Sequence, residues 1–337
     1  MKYVLLTPSI GISKGGIQAW SYYIVELLKY YNMPVDYASL LENKLSGLVK
    51  MIYWNFSAKI FILTIWHMFF FVIFAFVLSQ LNLRSCSFII LIHGDEILKL
   101  GSIRRKLLLQ IFKKKNVYII ANSLATSELF YKKSGIKTQK VLYPFIKIDT
   151  NIHIKEKKEE IYNLLTLTRL VKRKNIKSVL YALKMLKNKG LKFNYYIAGA
   201  GSEYESLVSL TRGLNLEENV SFLGRVYEEQ KRQLYLWADL FILPSVEMEK
   251  SIEGYGIVFI EANSFGIPVI SGNTGGMKEA VINGVTGFHT DGSPDEIAEK
   301  IAIALKTNFD RRKIVEHAKK HDYKQQEDFL KFINSWG

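Results

Sequence analysis

Residues 253–261 read EGYGIVFIE, with two carboxylates, Glu253 and Glu261, eight positions apart and two glycines, Gly254 and Gly256, close behind the first. Ile257 to Phe265 reads as a helix stopped by Gly266 and Pro268. Glu253 then precedes that helix and Glu261 lies just over one turn inside it, so the two do not share a helical face. The amides of Gly256, Ile257 and Val258 would be free at the helix start, where backbone N–H groups bind phosphate. Glu261, deeper in, could accept hydrogen bonds from paired hydroxyls, as acidic residues do for ribose. Glu253 could hold sugar hydroxyls. A helix with a favourable acidic N-terminus and one surface glutamate is the plainer reading of the same spacing.

Other strand ends carry residues of matching chemistry. TRLVKRKN places Arg169 and Lys174 five positions apart across a strand end and a helix start. Two such cations could clamp a diphosphate, Arg as a fork and Lys as a point charge; a solvated basic turn is the alternative. AGAGSE offers Gly199 and Gly201 for a tight turn beside a ligand, but Tyr204 occupies the place of the third dinucleotide-fingerprint glycine. Gly15 and Gly16 open a helix after the first strand and would let backbone N–H groups approach an anion. His93 ends another strand. No DxD triplet is present, and DGSPD at 291–295 reads as a turn and not as a metal site.

The elements that must position these residues alternate along the chain. Strand-like runs at 2–8, 87–94, 116–123 and 140–145 are followed by a charged, aperiodic linker at 146–160. Strands at 162–169, 192–201, 219–225, 238–245 and 267–272 then alternate with helical patterns, and the tail 323–335 is an amphipathic helix. Alternation of this kind implies an α/β fold with parallel sheets and crossover helices. Two similar-sized halves follow, at 1–150 and 151–322.

Of the 337 residues, 49% are hydrophobic and 23% charged, a globular balance. The single thiol, Cys86, excludes an internal disulfide and fits a reducing cytoplasm. MKYVLLTPSI has too short an apolar run for a signal peptide and reads as a strand. The charge of +15 is uneven: residues 1–150 hold 19 Lys and Arg against 7 Asp and Glu. A basic first half suggests an anionic partner.

Two segments bear on a membrane. Residues 60–78 are apolar except for Thr64 and His67, long enough to span a bilayer, although a central His is costly there. A buried or half-inserted helix is the expectation. SIRRKLLLQIFKKKN at 102–116 interleaves basic groups with Leu107, Leu108, Leu109, Ile111 and Phe112, a pattern suited to an anionic membrane surface. A helix covering the sheet with a solvated basic face has the same pattern.

The ordered set as a whole resembles the family 4 glycosyltransferases, retaining enzymes of GT-B architecture. The resemblance is strongest over 162–290, in NLLTLTRLVKRKN, IAGAGSE, NVSFLGRV and ADLFILPS…EGYGIVFIEANSFGIPVISGNTGGMKEAV, the last similar to the family's E-x7-E region. In the first half it rests on SKGGIQAW, His93-Gly94 and IIANS. Thr168 stands where the family often has Gly, and the insert before Glu253 carries rival carboxylates, Glu247 and Glu249. The resemblance implies two facing Rossmann-like domains with a nucleotide-sugar in the cleft, and a final helix, 323–337, that packs back on the first domain. Arg169 and Lys174 would hold the donor diphosphate, Glu261 the ribose, Glu253 the transferred sugar, and the amides of Gly256, Ile257 and Val258 phosphate. His93 would sit near the donor sugar, and Gly15 and Gly16 near phosphate and acceptor.

The implied reaction needs no metal or other cofactor and is a retaining transfer from a UDP- or GDP-sugar to a lipid-linked (polyprenyl-diphosphate) or growing glycan in bacterial surface polysaccharide synthesis. The enzyme would sit in the cytoplasm, peripheral on the inner face of the membrane. A sugar-nucleotide epimerase on the same architecture is one rival. A nucleic-acid binder is another, disfavoured because the aromatics sit in apolar runs and are not interleaved with basic residues.

Overall fold

The computed structural model describes residues 3–7, 16–39, 60–63, 87–94, 102–149, 161–249 and 251–335. Gly15, Cys86 and the 64–78 part of the apolar stretch, with Thr64 and His67, lie outside them. The chain forms two compact units, Met1–Lys147 with His321–Gly337, and Ile148–Lys320.

The first unit contains β1 (Tyr3–Thr7), α1 (Gly16–Tyr30), β2 (Val35–Ser39), β3 (Ile60–Leu63), β4 (Ser87–Ile92), α2 (Ser102–Phe112), β5 (Val117–Ala121), α3 (Leu124–Ser134) and β6 (Lys140–Val141). Its sheet runs β2-β1-β3-β4-β5-β6 with every pair parallel. The start of the apolar stretch is therefore a strand and not the expected helix: Ile60, Phe61, Ile62 and Leu63 pair with β1 on one side and β4 on the other, all at 2% exposure or less. A central parallel strand is covered on both faces, so its sequence is a continuous apolar run that hydrophobicity alone cannot tell from a buried helix. β6 is shorter than the run 140–145, where Pro144 has no N–H to give a ladder.

The second unit contains β7 (Tyr162–Leu167), α4 (Ile176–Asn188), β8 (Phe193–Ala198), α5 (Tyr204–Gly213), β9 (Val220–Gly224), α6 (Glu228–Trp237), β10 (Leu240–Leu243), α7 (Ile257–Ser264), β11 (Val269–Gly272), α8 (Met277–Ala280), β12 (Gly287–Thr290), α9 (Pro294–Lys306) and α10 (Arg311–Lys319). Its sheet order is β12-β11-β10-β7-β8-β9, again parallel throughout. That is the doubly wound dinucleotide-fold order, with a reversal between β7 and β10. Leu164, Leu165, Ile197, Phe241, Ile242 and Ile270 fill its core at 1% exposure or less.

The tail enters through a short turn, Tyr323–Gln325, and ends in α11 (Glu327–Asn334). It packs within the first unit: Tyr3 Oη donates to Asn334 Oδ1 at 2.6 Å, Tyr323 stacks on Tyr23, and Ile146 N donates to His321 O at 2.8 Å. Phe329, Leu330 and Ile333 supply the buried face.

Candidate active site

In open parallel sheets ligands bind beyond the carboxyl ends of strands where the order reverses. In the second unit those ends belong to β7 and β10, and their loops carry most of the chemistry named from sequence. After β7 the chain passes Thr168 and Arg169, makes a tight turn at Lys172–Lys174, and enters α4 through Asn175 at a left-handed φ of 57°. Asn175 Nδ2 donates to Gly292 O at 2.8 Å and to Pro244 O at 3.3 Å, tying this loop to those after β10 and β12. Val246 N, after β10, donates to Arg173 O at 2.9 Å.

Between these loops sits a buried ion cluster. Lys174 Nζ and Arg173 Nη1 donate to the same oxygen of Glu253, Oε2, at 2.5 and 2.6 Å, and Ser245 Oγ approaches it at 3.4 Å. The side chains of Arg173, Lys174 and Glu253 are 6%, 8% and 14% exposed. Burial pushes the Glu253 carboxyl up, but the charges and hydrogen bonds of Lys174 and Arg173 overcome it and bring it down to about 2. Burial also lowers Lys174, opposed by Glu253 and reinforced by Arg173 and Arg169. One carboxylate faces two buried cations, which leaves an excess positive charge beside the switch point.

Lys174 and Glu253, named separately from sequence, thus come together. Arg169 is exposed and makes no ion pair among the described residues. The rival carboxylates Glu247 and Glu249 are both exposed. Arg173 was missed: it stands inside the KRK run, and spacing selected only the lysine beside it.

Glu261 is also buried, and α6 holds it. Lys231 Nζ donates to Oε1 at 2.6 Å and Tyr235 Oη to Oε2 at 3.0 Å, from positions four apart on one helical face. Burial, with Glu261 beside it, pushes the Tyr235 hydroxyl well up, so it remains a donor. Neither partner was foreseen, because nothing in the α6 sequence marks a face turned toward a carboxylate 30 residues away.

The glycines act mainly on backbone. At Gly199 and Gly201 a Cβ would lie 1.7 Å from Thr168 O and 2.1 Å from Leu170 O, so the glycine-rich turn after β8 lies directly on the loop carrying Arg169. Gly256 (φ 87°) begins α7, whose start has no side-chain cap, so the helix leaves its first amides, near Ile257 and Val258, without internal acceptors. A second glycine pair, Gly275 and Gly276, lies against the loop that carries Glu253. A Cβ at Gly276 would lie 1.9 Å from Gly254 O, and one at Gly275 2.5 Å from Glu253 O. In DGSPD, Asp291 accepts from Ser293 N and Ser293 Oγ from Glu296 N, capping α9. Among the described residues no group of three or more His, Cys, Asp or Glu could hold a metal ion.

His93 and Gly16 belong to the first unit. His93 directly follows β4, is 7% exposed, and meets the Trp20 ring edge-on at 5.1 Å; Asn122 Nδ2 donates to its carbonyl at 3.4 Å. Gly16 is the first residue of α1. The helix at 102–116 does not keep its apolar side for a membrane: Leu108 and Phe112 lie in the hydrophobic core, with Leu109 and Ile111 packed against it. The side chain of Leu107 lies outside the described residues. Lys106, Lys113, Lys114 and Lys115 remain exposed. Among the described residues no helix is long and apolar enough to cross a membrane.

The profile described as "Glycosyl transferases group 1" matches residues 147–321, just over half of the chain. The chain is 34% identical over 142 residues, 41% of its length, to the GDP-mannose-dependent alpha-(1-6)-phosphatidylinositol monomannoside mannosyltransferase of Mycobacterium tuberculosis. It is 25% identical over 203 residues, 60% of its length, to the amylovoran biosynthesis glycosyltransferase AmsK of Erwinia amylovora. These matches span 37% and 47% of the relatives' own lengths. Among solved structures, Anabaena Alr3699/HepE in complex with UDP aligns at a TM-score of 0.75 and 19% identity over 99% of this chain and 100% of that one. At that identity the likeness concerns the fold, which is of the GT-B type.

Proposed function

The chain belongs to the group 1 glycosyl transferases, and from that membership we propose that it moves a sugar from a UDP- or GDP-linked donor to a hydroxyl of a lipid-linked or growing glycan. The observation that carries this is the excess buried positive charge beside the β7/β10 switch point, with exposed Arg169 on the same loop. Loss of a nucleoside diphosphate requires its charge to be stabilised by fixed donors. Arg169 and Lys174 take that role, with the amides of Gly256, Ile257 and Val258 at the start of α7. Transfer proceeds with retention and without a metal.

Glu261 takes the ribose hydroxyls. Its two oxygens already accept from Lys231 and Tyr235, but a carboxylate has about four acceptor positions, so two remain. Glu253 takes the transferred sugar, and His93 is assigned with it to the transfer step. Gly199 and Gly201 serve the donor site by seating the Arg169 loop, and Gly15 and Gly16 serve phosphate and acceptor.

A polyprenyl-diphosphate saccharide is the proposed acceptor, in surface polysaccharide synthesis, with the enzyme peripheral on the cytoplasmic face of the membrane. The mycobacterial relative's name includes a phosphatidylinositol lipid and that of AmsK a polysaccharide, which supports this class. Because the apolar side of α2 lies in the core, membrane association is electrostatic, through Lys106 and Lys113–Lys115, and therefore salt-sensitive. Calorimetric titration with UDP, GDP, UDP-glucose and GDP-mannose tests the donor site; binding of none of them rejects it. Flotation with phosphatidylglycerol liposomes tests the surface; an enzyme left unbound at low salt rejects that part.

A further inference from the structure

Arg173 is the buried cation that the diphosphate reading leaves without a task. Its Nη1 shares Glu253 Oε2 with Lys174, while Glu253 Oε1 has no hydrogen-bond partner among the described residues. Its carbonyl accepts from Val246 N, which fixes the arginine backbone to the loop leading into Glu253. Its Nε is buried with no partner among the described residues.

Resting on the proposed donor site, we infer that Arg173 is a positioning residue: it keeps Glu253 seated when the donor's diphosphate draws Lys174 away. The two cations are suited to different tasks. Lys174 is a point charge on a flexible stem and can turn from a carboxylate to a phosphate, whereas a guanidinium is rigid, stays charged and holds direction. With Lys174 turned to phosphate, Glu253 would face its own burial with a single cation. Without Arg173 burial would raise that carboxyl, and in its protonated form it would offer sugar hydroxyls fewer and weaker acceptor positions. The free Oε1 is the atom left to meet the sugar.

The test compares nucleoside diphosphate with sugar nucleotide, since only the latter reaches Glu253. Wild type, Arg173→Met and Arg173→Lys are titrated calorimetrically with UDP, GDP, UDP-glucose and GDP-mannose. Arg173→Met is expected to bind the preferred nucleoside diphosphate within about twofold of wild type but its sugar nucleotide about tenfold more weakly, the size of one lost hydrogen bond to a charged group. That deficit should widen as pH falls from about 8 to about 5.5, as Glu253 protonates. Arg173→Lys retains the charge but not the rigid fork, and should weaken sugar-nucleotide binding by about threefold while leaving nucleoside-diphosphate binding unchanged; should the methionine variant fail to fold, the presence or absence of this selective loss decides. Equal weakening toward both ligand classes, no weakening, or a deficit indifferent to pH overturns the inference. Wild type binding none of the four probes overturns the donor site itself, and the inference with it.

Discussion

Replacing Gly201 with alanine should loosen the loop that presents Arg169. A Cβ at Gly201 would stand 2.1 Å from Leu170 O, where ordinary contact begins at 3.4 Å, so the two loops must part by about 1.3 Å. The obstacle is backbone, so no side chain can turn aside. Leu170 is fully buried, and its N–H donates to Ala200 O at 3.0 Å while its carbonyl accepts from Glu203 N at 3.0 Å. Overpacking of this kind costs about 1–3 kcal/mol, and the two weakened hydrogen bonds add about 1 kcal/mol between them or somewhat more. A total of about 2–4 kcal/mol, at a urea slope near 2 kcal/mol per M, moves the unfolding midpoint by about 1–2 M. Displacing Arg169 by about 1 Å should also weaken nucleoside-diphosphate binding at least tenfold. Gly213→Ala is the control: its Cβ meets nothing within 4 Å at the end of α5, and it should be neutral or stabilising by about 0.5–1 kcal/mol. Urea unfolding and titration with UDP and GDP read both effects. A Gly201→Ala protein with the wild-type midpoint and affinity would refute the claim that close loop contact seats Arg169.

Arg169→Ala and Lys174→Ala should both abolish nucleoside-diphosphate binding, yet differ in stability. Exposed Arg169 should cost within about 0.5 kcal/mol, whereas removing Lys174 from the buried cluster should cost about 3 kcal/mol or more, read by urea unfolding. The Glu253 carboxyl, at about 2 when folded against 4.5 ordinarily, contributes stability that is present above pH 4.5 and lost as pH falls toward 2. The span is worth about 3 kcal/mol, and Glu253→Gln should remove this acid limb from a stability–pH curve. Lys231→Met should destabilise by about 3–5 kcal/mol, because Glu261 loses its buried cation; unchanged melting would contradict the pairing. Tyr3→Phe should cost about 1 kcal/mol through the lost bond to Asn334, seen in thermal unfolding.

Local pattern made much of this legible. β1, β4, β5 and the strands of the second unit are apolar runs closed by turn residues, and both their type and their parallel pairing follow from alternation with helices. Glu253 was distinguishable from Glu247 and Glu249 because only it precedes G-Y-G, and it is the one of the three that is not exposed. What stayed hidden was long-range. Arg173 and Lys174 are adjacent in sequence, and only the fold reveals that both reach a glutamate about 80 positions on. Lys231 and Tyr235 are ordinary helix residues until α6 is laid beside α7. Ile60–Leu63 read as helix because a strand covered on both faces loses the alternation that would identify it. The α2 pattern fits a membrane surface or a sheet equally well in sequence, and the core contacts of Leu108 and Phe112 chose the sheet.

The most direct measurement is a crystal structure of the full chain with bound UDP or GDP. Phosphate oxygens within hydrogen-bond reach of Lys174 and Arg169, beside the first amides of α7 and with Lys174 no longer on Glu253, are the predicted result. A diphosphate held away from both cations, with the Lys174–Glu253 pair intact, would contradict it.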